Sequence, residues 1–197
     1  MLRICLALTL ILPVACTSPV AKEAATPGFL PATRWDHRPE ASAWTEATVR
    51  ALKAEGAVLV NTVPEDIGGF CPGYAKAAPD QRRAFWVGLL SATAKYESGW
   101  NPLARAGGGR FLGLMQISPK TAATNGCDAP DAAGLLDGGA NLTCAVRIMA
   151  RSVARDGAIA SDQSRGWLGM ARDWLPLRNA STRGEIAAWT AGQSYCE

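Results

Sequence analysis

Apolar residues first recur at helical intervals between Trp44 and Ala54, where Trp44, Ala47, Val49, Ala51 and Leu52 predict a helix and Gly56 its stop. Ala57 to Val60 is expected to be extended. Pro64 to Pro79 holds Gly68, Gly69, Pro72 and Gly73 around Cys71, which predicts a turn-rich connection. The clearest periodicity starts after Pro79, with Asp80 as the expected cap. Phe85, Leu89, Ala92 and Tyr96 form one stripe, and Trp86, Leu90, Thr93 and Glu97 an adjacent one. Glu97 thus closes a largely apolar helix beside the turn made by Gly99 and Pro102, an unusual place for a carboxylate.

Further along, the glycine loop Gly107 to Gly109 precedes an apolar stretch, Phe111, Leu112, Leu114, Met115 and Ile117, interrupted by Gln116. Pro119 opens a helix through Ala123, and Asp131 to Gly139 reads as a loop. Asn141 to Val153 predicts a helix with Leu142, Val146 and Met149 on one side. Short helices are expected over Trp167 to Leu175 and Arg183 to Trp189. Thr17 to about Ala41 is rich in proline and small residues and reads as a tether. With no repeat and no alternating strand series, the expected fold is mainly helical.

The length of 197 residues suits one domain behind an export segment. Arg3 followed by the short apolar run Ile4 to Leu12 reads as a signal peptide over residues 1–15. The expected division is a signal at 1–15, a tether at 16–43 and a domain at 44–197, with an N-terminal helical extension at 44–79 and a motif core at 80–153. Acids and bases are interspersed, the net charge is only +3, and no basic run proposes nucleic acid as a partner.

Of the six cysteines, Cys5 lies in the signal and Cys16 at its end, leaving Cys71, Cys127, Cys144 and Cys196. An even number in an exported chain implies two disulfides, with three pairings open. The expected pairs are Cys127–Cys144, closing a short loop, and Cys71–Cys196, tying the C-terminus back. Metal binding or free thiols are the alternatives, but the single histidine, His37, and the lack of Cys-x-x-Cys spacing speak against a metal. His37 itself reads as a solvated linker residue, and no metal or cofactor is expected.

The string Glu97-Ser98-Gly99-Trp100-Asn101-Pro102, then Gly113-Leu114-Met115-Gln116, then Pro119-Lys120-Thr121-Ala122, resembles the soluble lytic transglycosylase family, which shares the goose-type lysozyme fold. Asn141 resembles the asparagine that the family places next, and the resemblance covers roughly Phe85 to Val153. It implies a lysozyme-like helical domain with an N-terminal extension, stapled by two disulfides. The implied activity is cleavage of the bond between N-acetylmuramic acid and N-acetylglucosamine in peptidoglycan, leaving a 1,6-anhydro sugar, with Glu97 as acid and base.

The resemblance also implies that Ser98 contacts an acetamido group or a water and that Gly113, Leu114, Met115 and Gln116 form the floor of a groove. Asn141 and Trp174 complete the expected substrate-binding set. The alternatives are a helix-end residue for Ser98 and plain core for Leu114, Met115 and Trp174. Where the family has Tyr-Asn-Ala-Gly, this chain has Gly169 to Trp174 without a tyrosine. A hydrolytic muramidase and a non-catalytic wall-binding protein are the rival activities. Leu12-Pro13-Val14-Ala15-Cys16 resembles a lipobox, which implies a periplasmic lipoprotein anchored in the outer membrane through Cys16, with Thr17 in place of aspartate. Ordinary cleavage nearby is the alternative.

Overall fold

The computed structural model describes residues 30–164 and 166–197. The expected signal peptide, residues 16–29 of the expected tether and Cys16 lie outside the described residues. The helix α1 (Ala41–Ala54) packs along α7 (Gly138–Asp156). The central helix α4 (Pro79–Ser98) contacts α1, α2 (Ala57–Asn61) and α8 (Ala180–Ala191). Three shorter helices, α3 (Ile67–Phe70), α5 (Pro119–Thr124) and α6 (Ala132–Leu135), join them.

α4 is the axis on which everything else is arranged. Pro79 takes the first helical position, where a missing amide costs nothing. The cap is made by Gln81, whose Oε1 accepts the Ala78 amide at 3.0 Å. Asp80, the expected cap, instead pairs with Arg83 one turn on. Every residue from Ala84 to Ala94 is buried, so the helix is enclosed on all sides rather than along the two predicted stripes.

α5, α6, α7 and α8 start where an acceptor side chain satisfies their first amides. Asp137 Oδ1 accepts the Ala140 amide at 2.8 Å, so α7 begins ahead of Asn141. Asn179 Oδ1 accepts the amides of Ser181 at 2.9 Å and Thr182 at 3.1 Å, so α8 begins ahead of Arg183. Ser118 Oγ does the same for Thr121 in α5 at 3.0 Å.

Two antiparallel ribbons complete the molecule. β1 (Arg105–Ala106) pairs with β2 (Phe111–Leu112) across the glycine loop, and β3 (Asp162–Gln163) pairs with β4 (Gly166–Trp167). The helix expected over Trp167 to Leu175 is therefore replaced by β4 and two 3-10 turns, Gly169–Arg172 and Leu175–Leu177. Asp156 Oδ2 accepts the Gly169 amide at 2.8 Å and draws that turn onto the end of α7. Ala57 to Val60, expected to be extended, lies in the helix Ala57–Asn61, with the adjacent residues Leu59 and Val60 both buried. A strand facing one core would bury alternate residues.

The fold is mainly helical and carries both expected disulfides, Cys71–Cys196 with 4.7 Å between Cα atoms and Cys127–Cys144 with 5.2 Å. The tether expected up to residue 43 differs: from Thr33 onward the chain packs on the core. Trp35 is fully buried and its Nε1 donates to Thr45 Oγ1 at 2.9 Å, edge-on to Trp44. One large indole anchors a segment that shows no periodicity because it is a turn. His37, expected to be a solvated linker residue, is exposed, but its ring lies edge-on to Trp100 with centroids 4.7 Å apart.

Candidate active site

Glu97 sits in the last turn of α4, which ends at Gly99 in the left-handed region, φ 60°. Its side chain is half-buried, and burial alone pushes its carboxyl up to about 7. No neighbouring charge contributes to that shift. A carboxyl held neutral by desolvation is the form a general acid requires near neutral pH.

The backbone of the motif is strained in two places. Among the described residues, the non-glycine residues with positive φ are Trp100 at 60° and Gln116 at 48°. Such conformations cost about 1–3 kcal/mol and cluster at functional sites. Trp100 is held by its indole, whose Nε1 donates to Ser91 O at 2.9 Å. Gln116 is held by its side-chain amide, which donates to Gly113 O at 2.8 Å and Ala104 O at 3.3 Å. Trp100 stands between Gly99 and Asn101 in the motif, and its conformation has no signature in the residue itself.

The Gly113–Gln116 segment is braced from beneath. Asn141, fully buried, accepts the Met115 amide on its Oδ1 at 2.9 Å. Its Nδ2 donates to Leu112 O at 3.0 Å and Leu135 O at 2.9 Å. Trp174 is 3% exposed and donates from Nε1 to Met115 O at 3.0 Å. Gly113 has φ 75°, and a Cβ there would lie 2.1 Å from Leu135 O. Leu114 and Met115 are fully buried.

The expected substrate-binding set therefore divides. Asn141, Trp174, Leu114 and Met115 are buried supports, and Trp174 offers no ring face for a sugar. Its indole is buried because its N–H finds a partner in a backbone carbonyl that would otherwise be orphaned. Ser98 and Gln116 are half-buried beside solvent. Ser98 Oγ donates to Ala94 O at 3.3 Å, the bond of a helix-end serine. Half-buried Trp167, which the sequence offers beside Trp174 as a stacking wall for a sugar, lies under the Arg183 guanidinium at 5.3 Å, and Leu175 is 66% exposed.

The nearby acids have other duties. Asp128 pairs with Arg147, Asp131 Oδ1 accepts the Gly134 amide at 2.8 Å, and Asp137 caps α7. Among the described residues no group of three His, Cys, Asp or Glu side chains is placed to hold a metal ion. The cavity lined by Pro72, Lys76, Gln81 and Glu197 lies at the opposite end of α4.

Residues 75–168 match the family model "Transglycosylase SLT domain". Solved structures of Bd0314 DslA superpose on the chain. Its wild-type form 2 is 29% identical, with a TM-score of 0.78 over 86% of this chain and 100% of that one. Two DslA mutants, each with a glutamate replaced by glutamine, give TM-scores of 0.79 and 0.77 at the same identity and coverage. No curated protein matches. The motif residues from Glu97 to Asn141 fall within the segment, residues 75–168, that is similar to this model.

Proposed function

We propose that the protein is a peptidoglycan lytic transglycosylase that cleaves the beta-1,4 bond between N-acetylmuramic acid and N-acetylglucosamine, with Glu97 as its catalytic acid and base. The observation that carries this is the Glu97 carboxyl, raised to about 7 by burial at the end of a helix that closes on the strained turn at Trp100.

In this mechanism the neutral carboxyl protonates the glycosidic oxygen as the bond to C1 breaks and positive charge develops on the muramyl ring. The C6 hydroxyl of the same sugar then bonds to C1 and gives its proton to the Glu97 carboxylate. The product is a 1,6-anhydro ring, the acid is regenerated, and no water is consumed. An attacking group already attached to the reacting sugar has a high effective concentration. That accounts for a site served by one carboxyl, while Asp128, Asp131 and Asp137 are spent on an ion pair and helix caps. The side chain of half-buried Gln116, whose carbonyl oxygen accepts no hydrogen bond from the described residues, supports a role as acceptor from a sugar amide or hydroxyl.

The lipobox-like end of the leader supports attachment to the outer membrane through Cys16, with the domain in the periplasm.

The test is digestion of purified sacculi by the wild type and by Glu97→Gln, with mass analysis of the released muropeptides. Anhydro-muramyl products from the wild type and none from Glu97→Gln are expected. Products heavier by one water would identify a muramidase, binding to sacculi without any release would identify a wall-binding protein, and wild-type release by Glu97→Gln would remove that residue from the chemistry.

A further inference from the structure

Ser91 stands on α4 two turns before Glu97 and is fully buried. It is gripped from two directions. Its Oγ accepts the Arg34 backbone amide at 2.9 Å and donates to Gly88 O at 2.7 Å. Its carbonyl accepts the Trp100 indole at 2.9 Å. One residue of the catalytic helix therefore receives both the N-terminal strap and the turn that follows Glu97.

The strap reaches that turn a second time. The His37 ring meets Trp100 edge-on, with centroids 4.7 Å apart and planes at 73°. Between these two points the strap is fixed by Trp35, fully buried and bonded to Thr45, while Arg34 lays its guanidinium 5.8 Å over the Tyr96 ring. Tyr195 Oη donates to Ala32 O at 3.4 Å and secures the strap's start. Residues 31–38 thus bracket Glu97, touching its helix before it and its turn after it. They lie outside the segment that matches the family model.

Trp100 needs such support. A tryptophan at φ 60° persists only where its surroundings over-determine it. Its own helix accepts its backbone amide on Ala94 O at 3.4 Å and its indole on Ser91 O at 2.9 Å; the strap adds the ring contact.

We propose that the strap at residues 31–38 is a positioning element for the catalytic carboxyl, with His37 as a positioning residue that acts through Trp100 on the left-handed turn ending α4. The inference rests on the assignment of Glu97 proposed above. Loss of the His37 ring lets the Gly99–Trp100 turn relax, and the Glu97 carboxyl then spends less time in register with the glycosidic oxygen. Misplacement of this kind lowers the rate of the bound complex more than it weakens binding.

The experiment compares full-chain wild type, His37→Ala, His37→Phe and Glu97→Gln. Release of soluble fragments from solubilised peptidoglycan is followed over a range of substrate concentrations, and hydrogen exchange is measured at amides 97–101. His37→Ala is expected to lower kcat about tenfold with KM within about twofold, and to speed exchange at 97–101 while leaving α7 unchanged. His37→Phe, which keeps an edge-on ring, is expected to restore both. Wild-type kcat and exchange in His37→Ala would overturn the proposal while Glu97 stands, as would failure of His37→Phe to rescue. Wild-type turnover by Glu97→Gln would overturn the assignment of Glu97 and this inference with it; exchange then reports only on the turn.

Discussion

Asn141 Oδ1 accepts the Met115 backbone amide at 2.9 Å across 26 positions of sequence. With its other two bonds, to Leu112 O and Leu135 O, a single fully buried side chain joins the start of α7 to β2, to α6 and to the Gly113–Gln116 segment. The Gly113–Gln116 segment is thus shaped by a residue that no substrate can touch.

Asn141→Ala leaves one buried amide and two buried carbonyls without these partners. At about 1 kcal/mol or more for each unmet group, the expected loss is about 3 kcal/mol. Urea unfolding checks it: a midpoint within experimental error of the wild type would show that the three bonds contribute nothing net.

At Gly113 a methyl group meets Leu135 O at 2.1 Å and Asn141 Nδ2 at 2.4 Å, on a backbone at φ 75°. Gly113→Ala is expected to cost about 3 kcal/mol and to abolish glycan cleavage, since the neighbours are backbone and a fixed amide. Gly108, at φ 69° with nothing within 4 Å, is the control. There only the backbone term remains, about 1 kcal/mol. Equal losses at the two positions in thermal unfolding would refute the steric account.

The Glu97 carboxyl rises from 4.5 to about 7 on folding. The folded state therefore holds this proton more tightly than the unfolded chain, so Glu97 costs no stability below pH 4.5 and the cost grows as pH rises through about 7. At one pKa unit per 1.36 kcal/mol the full cost is about 3 kcal/mol, an upper bound for a group that keeps some solvent contact. Glu97→Gln is expected to match the wild type near pH 4 and to exceed it in stability at pH 8. Glycan cleavage is expected to fall with the same apparent pKa, because only the neutral form protonates the leaving oxygen. A stability difference independent of pH would show that the carboxyl is not desolvated.

Removing the Cys71–Cys196 bridge, which spans 125 positions, is expected to cost more than removing Cys127–Cys144, which spans 17. The chain-entropy account gives about 4–5 kcal/mol against about 3 kcal/mol. Paired serine variants compared by thermal unfolding decide it. The reverse order would show that native-state contacts, such as the packing of Cys196 and Tyr195 on α4, outweigh loop length.

The amino-acid pattern alone determined the helical class, the central helix from Pro79 and the glutamate at its end, because local spacing encodes those features. Export-type cysteine usage and loop arithmetic likewise led to both disulfide pairs. Tertiary structure decided the rest. Trp174 was expected to face a sugar and instead braces Met115 from inside; an aromatic residue in a turn carries no local mark of which side will be covered. Ala57–Asn61 is a helix because two neighbouring apolar residues are both buried, which depends on what surrounds them. The strap at residues 31–38 read as a tether because it has no period, and its anchoring by Trp35, Ser91 and Trp100 arises from contacts with partners between 10 and 63 positions away. Periodicity reports a residue's neighbours along one element; the environment that raises the Glu97 carboxyl is assembled from several, and only the folded chain brings them together.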